Sequence, residues 1–223
     1  MLIRLHSIIS KQQLHTVQNL LSEVKFVDGR FSAGMAARQV KHNEEVASGQ
    51  LQLKELNAIV MGNLVRHPIY QNAALPHRVA TPFYARYTQG MAYGDHIDDP
   101  VMGAENRYRS DISITIFLSE PQSYEGGELV IRTSFGEQTI KYAGGDAVMY
   151  PASSRHRVNK VTHGERLVAV TWVQSLVRDA QRREILYELS RARDKMLIHA
   201  PHAPETAHVD TAYVNLIRLW ATL

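Results

Sequence analysis

Along the first 75 residues, apolar positions recur twice at helical spacing. From Ser10 to Val24 the set Leu14, Val17, Leu20, Leu21 and Val24 falls three or four residues apart behind Ser10, a residue type that caps helix N-termini, which predicts one amphipathic helix. A second stretch repeats the pattern through Leu51, Leu53, Leu56, Ile59, Val60 and Leu64 and stops at the breaker Pro68. After Pro76 the texture changes to short apolar or alternating runs divided by glycine and proline, which is how antiparallel strands read. The runs are "HRVATPFYARYT", "SDISITIFLS", "GELVIRT", "EQTIKYA", "DAVMYPA", "RHRVNKV" and "RLVAVTWVQSL". From about Val177 helical spacing returns through Ile185, Leu186, Leu189 and Met196 among many charges. Beyond the loop "HAPHAPETAH" a last apolar helix is predicted in "VDTAYVNLIRLWATL".

Strands grouped between helical ends predict a mainly β protein with flanking helices (α+β), its strands closed into a sandwich or barrel, of which the jelly roll is one solution. The expected division is a helical and strand support over 1–76, a core over 77–176 and a C-terminal helical extension over 177–223. The large apolar groups of the last helix, Trp220 among them, offer a subunit contact, so a homo-oligomer through the C-terminal helices is an expectation.

Composition narrows the chemistry more than the fold. With 44% hydrophobic and 21% charged residues the chain is an ordinary globular protein, and a net charge of +3 is too small to indicate nucleic-acid or membrane partners. Cysteine is absent, which removes disulfides, zinc ribbons and thiolate nucleophiles and leaves nitrogen and oxygen to hold any metal. The start "MLIRLHSIISKQQ" lacks a small-residue cleavage site, and no run reaches the roughly 20 apolar residues of a membrane span, so a cytoplasmic address is expected.

One short stretch concentrates ionisable groups: "YGDHIDDP", Tyr93 to Pro100, sets Asp95, Asp98 and Asp99 around His96. In a strand, residues two apart share a side, so His96 and Asp98 present one imidazole and one carboxylate together while Asp95 and Asp99 face away, and Pro100 marks the strand's end. A third ligand is available in His156, on a later strand. Two histidines and one carboxylate leave half of an octahedral ion open, as in non-haem Fe(II) oxygenases.

Ten positions on, Arg166 opens "RLVAVTW" and shares a face with Val168, Val170 and Trp172. If "VNKVTHGE" carries a hairpin, His156 and Arg166 lie nearly opposite each other on neighbouring strands. An inward arginine among apolar residues needs an anion, and its guanidinium favours a bidentate carboxylate. A dicarboxylate that chelates the metal at one end and meets Arg166 at the other fits this arrangement.

The ordered set "HID", His156 and Arg166 resembles the HxD...H...R signature of the iron and 2-oxoglutarate-dependent dioxygenases. The blocks "ARYTQGMAYGDHID", "YEGGELVI" and "AGGDAVMYPASSRHRV" are especially similar to the prolyl-hydroxylase-like branch, and with helices at both ends the whole chain resembles the bacterial PKHD-type hydroxylases. The resemblance implies a double-stranded β-helix (jelly-roll) core, Fe(II) on His96, Asp98 and His156, 2-oxoglutarate anchored by Arg166, and ascorbate as the reducing helper. It implies Tyr87 beside the cosubstrate and Tyr93 on the pocket wall, where Trp172 is also expected from its place on the face of Arg166. The activity implied is hydroxylation of an unactivated C–H bond by dioxygen, with release of succinate and carbon dioxide. The substrate implied is amino-acid, peptidyl or siderophore-like.

Blander readings exist for each element: a polar turn before Pro100 for His96 and Asp98, and a strand-edge cation paired with Glu165 or Glu128 for Arg166. A metal-binding sensor or cupin-like module that keeps the triad without catalysis is the rival from another class; it predicts metal binding with no dependence on 2-oxoglutarate.

Overall fold

The computed structural model describes residues 1–103 and 105–222. Two facing antiparallel sheets make the centre. The larger, eight-stranded sheet runs Ile3–Leu5, Ala147–Pro151, Ile112–Phe117, Arg166–Ser175, Phe83–Tyr87, Glu44–Val46 and Phe26–Asp28 in spatial order, with Pro76–Val79 also paired to Arg166–Ser175. The smaller has five strands in the order Gly136–Ile140, Leu129–Thr133, His156–Val158, Ala92–His96 and Lys41–His42. This is the mainly β, helix-flanked jelly-roll architecture expected from the strand pattern.

Alternation explains how one sheet serves two layers. In Ile112–Phe117 the residues Ile112, Ile114 and Ile116 point outward, where they pack with Leu14, Val17, Leu56, Val60, Leu64 and Tyr70 from the N-terminal helices. Phe117 points inward and joins Leu129, Ile131, Val148, Tyr150, Val158 and Val168 between the sheets. Every residue of Ile112–Phe117 is buried, because both faces of the strand are covered.

The helices follow their sequence signals, except that the last one begins at Pro204, inside the stretch read as a loop, because proline is tolerated in a first turn. Lys11–Ser22 opens with a reciprocal cap in which the Gln13 N–H donates to Ser10 Oγ (3.3 Å) and the Ser10 N–H donates to Gln13 Oε1 (3.2 Å). Gln52–Leu64 buries Leu56, Val60 and Leu64, four residues apart, against the larger sheet. Pro68 does end the region of that helix, and it also starts the next one, Pro68–Ala74, because proline's missing N–H is not needed in a first turn. Ala180–His199 begins at Asp179, whose carboxylate accepts from the Arg182 N–H at 2.9 Å, and Pro204–Trp220 packs beside it. Leu186, Leu189, Tyr213, Leu216, Ile217 and Trp220 from these last helices form a third cluster with Leu75 and Val177, so much of the apolar surface of the final helix is spent within the chain. Among the described residues no helix is long and apolar enough to cross a membrane.

Segments of two or three residues in the first 50 positions also join the sheets: Ile3–Leu5, Phe26–Asp28 and Glu44–Val46 extend the larger one, and Lys41–His42 extends the smaller. The N-terminal region is therefore woven into both layers, and it reaches the cavity between them.

Candidate metal centre and its cavity

His96 closes the strand Ala92–His96 and His156 opens the strand His156–Val158, and the register pairs the two directly. Their ring centroids are 4.2 Å apart. Each ring is oriented by its own backbone: His96 Nδ1 lies 2.8 Å from the Gly94 carbonyl and His156 Nδ1 lies 3.0 Å from the Ser154 carbonyl. A donated Nδ1–H places the proton on that nitrogen and leaves the Nε2 lone pair for a metal. Burial, with a contribution from His156, holds the His96 pKa down to about 3, so its imidazole is neutral at pH 7, the form that ligates.

The strand ends at His96 instead of continuing to Pro100, yet Asp98 still turns to the His96 side. Its Oδ1 is 4.0 Å from His96 Nε2 and 3.8 Å from His156 Nε2, while Oδ2 accepts a hydrogen bond from Trp172 Nε1 at 2.9 Å. One ligand atom from each of the three residues lies within 4.8 Å of the others. Donors held roughly 2.0–2.2 Å from a first-row ion stand about 3–4 Å from one another, so this nitrogen and oxygen set suits an ion such as iron. The other two aspartates are elsewhere. Asp95 faces the outer side, 3.9 Å from Arg132 and 3.7 Å from Arg157, and the Asp99 carboxylate lies against Gly34 at the cavity rim.

Tyr93 stacks on His96 with centroids 3.7 Å apart and planes 13° from parallel, which fixes one side of that imidazole. Trp172, expected on the wall, lines the cavity and also orients Asp98.

Arg166 departs from the expected hairpin. His156 and Arg166 are not strand neighbours, because Val161–Gly164 turns away to pair with Tyr124–Gly126 and the chain then enters the opposite sheet. Arg166 is placed across the interior from the histidines, and its strand neighbour is Tyr87. Both orientation and company agree with an inward arginine: it is 1% exposed, its guanidinium lies 5.0 Å from the Tyr87 ring centroid and 5.8 Å from that of Phe117, and it shares a cavity face with Val168, Val170 and Trp172. Its Nε and Nη1 have no hydrogen-bond partner among the described residues. A buried cation with unused donors is costly, and a carboxylate supplied from outside the chain removes that cost. Gly127 makes room for it: at φ +65° a Cβ there would stand 3.0 Å from Arg166 Cδ and 2.9 Å from Val161 Cγ2.

Histidines, aspartate and arginine open onto one cavity of about 430 Å³. Sequence reading missed several of its walls. Ser113, Thr115 and Tyr150 hide in strands that read as apolar, although Ser113 and Thr115 alternate with Ile112, Ile114 and Ile116. Lys41 and Asn43 of "KHNEE" also line the cavity, and Glu45 is buried in the same alternation, with Lys41 Nζ donating to Glu45 Oε1 (2.5 Å) and Ser32 Oγ (2.8 Å). The period was present; the residues were polar where a strand pattern looks for apolar ones.

Residues 82–174 match the 2OG-Fe(II) oxygenase superfamily. A PKHD-type hydroxylase of Thioalkalivibrio sulfidiphilus is 50% identical over 222 residues, covering 99% of each chain, and one from Gloeothece citriformis is 41% identical over 99% of this chain and 100% of its own. Among solved structures, a Pseudomonas putida prolyl-4-hydroxylase shares the fold with TM-score 0.54 and 17% identity, over 78% of this chain and 92% of that one. A Trichoplax adhaerens prolyl hydroxylase in complex with a hypoxia inducible factor peptide fragment does so with TM-score 0.56 and 16% identity, over 82% and 86%. The cavity's nitrogen and oxygen triad and its unpaired arginine are thus carried by a chain that belongs to the PKHD-type hydroxylases, 2-oxoglutarate-dependent dioxygenases that use Fe(II).

Proposed function

We propose that the protein hydroxylates an unactivated C–H bond of an amino-acid, peptidyl or siderophore-like substrate. One dioxygen is consumed: one of its atoms enters the substrate as hydroxyl, and the other enters succinate as 2-oxoglutarate loses carbon dioxide. The observation that carries this reading is Arg166, a fully buried cation with unused N–H groups facing the same cavity as His96, Asp98 and His156.

In this reading His96 Nε2, Asp98 Oδ1 and His156 Nε2 hold Fe(II), which supplies the dioxygen and electron-transfer chemistry that side chains lack. Arg166 holds the far carboxylate of 2-oxoglutarate, and Tyr87 flanks it. Burial raises the Tyr87 pKa to about 12, so the phenol stays protonated at pH 7 and remains a donor to an anion. Trp172 fixes the Asp98 carboxylate and Tyr93 fixes the His96 ring, while Leu129, Val158, Val168 and Val170 keep the lining dry. Ascorbate serves as the reductant that keeps iron in the ferrous state between turnovers.

Two fold neighbours frame the substrate range: one was solved with a peptide fragment and another, HygX from Streptomyces hygroscopicus (TM-score 0.54, 12% identity), with nickel, 2-oxoglutarate and hygromycin B. The test is succinate formation by the Fe(II)-loaded protein with 2-oxoglutarate, dioxygen and fractionated cell extract, followed by mass spectrometry for a gain of one oxygen. Succinate above an Asp98→Ala control is expected; succinate no higher than that control with every fraction would refute the proposal.

A further inference from the structure

Arg166 and Tyr87 are direct neighbours across two strands of the larger sheet, and the next strand over pairs Glu44 with Arg86 and Glu45 with Ala85. Continued by one residue, that register sets Asn43 beside Tyr87, so Arg166, Tyr87 and Asn43 form one row across three strands, all three lining the cavity. Asn43 is 2% exposed, and neither Nδ2 nor Oδ1 has a hydrogen-bond partner among the described residues. A carboxamide this buried with both ends unused is costly, though less so than the unpaired guanidinium at the other end of the row. Its position is built in: Gly29 packs so closely that a Cβ there would fall 2.0 Å from Asn43 Oδ1, which leaves the NH₂ end as the one turned away from Gly29.

We infer that Asn43 is a third donor to the far carboxylate of the 2-oxoacid cosubstrate, completing with Arg166 and Tyr87 a row that reads a dicarboxylate rather than a monocarboxylate. The inference rests on the proposed cosubstrate site. The neutral amide suits the place, since it donates without adding a second cation beside Arg166 and without the repulsion an aspartate would bring.

The test is anaerobic calorimetric titration of the Ni(II)-loaded protein with 2-oxoglutarate and with 2-oxovalerate, which keeps the chelating end and replaces the far carboxylate by a methyl group. Asn43→Leu is expected to weaken 2-oxoglutarate roughly tenfold to a hundredfold and to leave 2-oxovalerate unchanged. Asn43→Asp, nearly isosteric and the variant to use if the leucine protein does not fold, is expected to weaken 2-oxoglutarate further, with recovery as the pH is lowered. Equal losses for both ligands, or none for 2-oxoglutarate, would overturn the inference. Arg166→Leu separates the two levels. If wild type binds 2-oxoglutarate and Arg166→Leu does not, a silent Asn43 sinks this inference alone; if wild type fails to bind it, the cosubstrate site falls as well.

Discussion

Replacing Trp172 by phenylalanine removes one hydrogen bond from the metal centre and little else. The indole Nε1–H donates to Asp98 Oδ2 at 2.9 Å, and the Asp98 side chain is only 6% exposed, so water has little access to take over the role. A hydrogen bond to an ionised carboxylate is worth about 1.5–3 kcal/mol. Phenylalanine keeps an aromatic face toward Phe83, whose ring centroid is 5.3 Å from that of Trp172, so most of the packing survives. The loss divides between two states. Without metal, the variant leaves a buried carboxylate oxygen unpaired, and a cost of about 1.5 kcal/mol lowers the melting temperature by roughly 3–6 °C for a chain of this size. With metal, the carboxylate must also be aimed without its guide, and loss of such a supporting contact typically weakens metal affinity about 10–100-fold. The assay is anaerobic calorimetric titration with Fe(II), paired with melting curves of the metal-free proteins. An Fe(II) affinity for Trp172→Phe within twofold of wild type would show that the indole does not position Asp98, and the reasoning would be refuted.

Other consequences separate the parts of the site. Asp98→Asn is expected to abolish iron binding, whereas Asp95→Asn, on the outer side beside Arg132 and Arg157, leaves it unchanged; metal content after dialysis decides. Gly127→Ala places a methyl group 3.0 Å from Arg166 Cδ at a left-handed φ, and is expected to raise the KM for 2-oxoglutarate while costing about 1–3 kcal/mol of stability, read from steady-state kinetics and denaturant unfolding. For the metal-free protein, burial holds His96 neutral down to about pH 3, so below the ordinary histidine value of about 6.5 the unfolded chain binds the extra proton first. Stability present above pH 6.5 is then lost progressively toward pH 3, and melting curves of His96→Gln should show a shallower acid dependence over that window.

What is legible in the sequence depends on whether a functional residue follows the strand alternation or departs from it. Period two chose Asp98 over Asp95 and Asp99 even though the strand stops at His96, because the His96 side of the backbone is retained through the two residues that follow. The inward arginine was legible for the same reason, with Val168, Val170 and Trp172 as its companions. Its partner strand was not legible. A ten-residue interval looks like a hairpin, but in a jelly roll successive strands alternate between sheets, and Val161–Gly164 finds Tyr124–Gly126 instead of folding back. The short strands Ile3–Leu5 and Phe26–Asp28 carry too few residues to show a period, and they form by pairing along the strands Ala147–Pro151 and Glu44–Val46. The alternating polar residues Lys41, Asn43 and Glu45 read as solvent-facing until their burial is seen, since alternation by itself does not say which face is wet.

The measurement that bears most directly on the account is anomalous diffraction from crystals grown anaerobically with Fe(II) and 2-oxoglutarate. One iron peak is predicted among His96 Nε2, Asp98 Oδ1 and His156 Nε2, with the far carboxylate of the cosubstrate on Arg166. Iron bound by other residues, or a cosubstrate that leaves the Arg166 guanidinium unpaired, would contradict it.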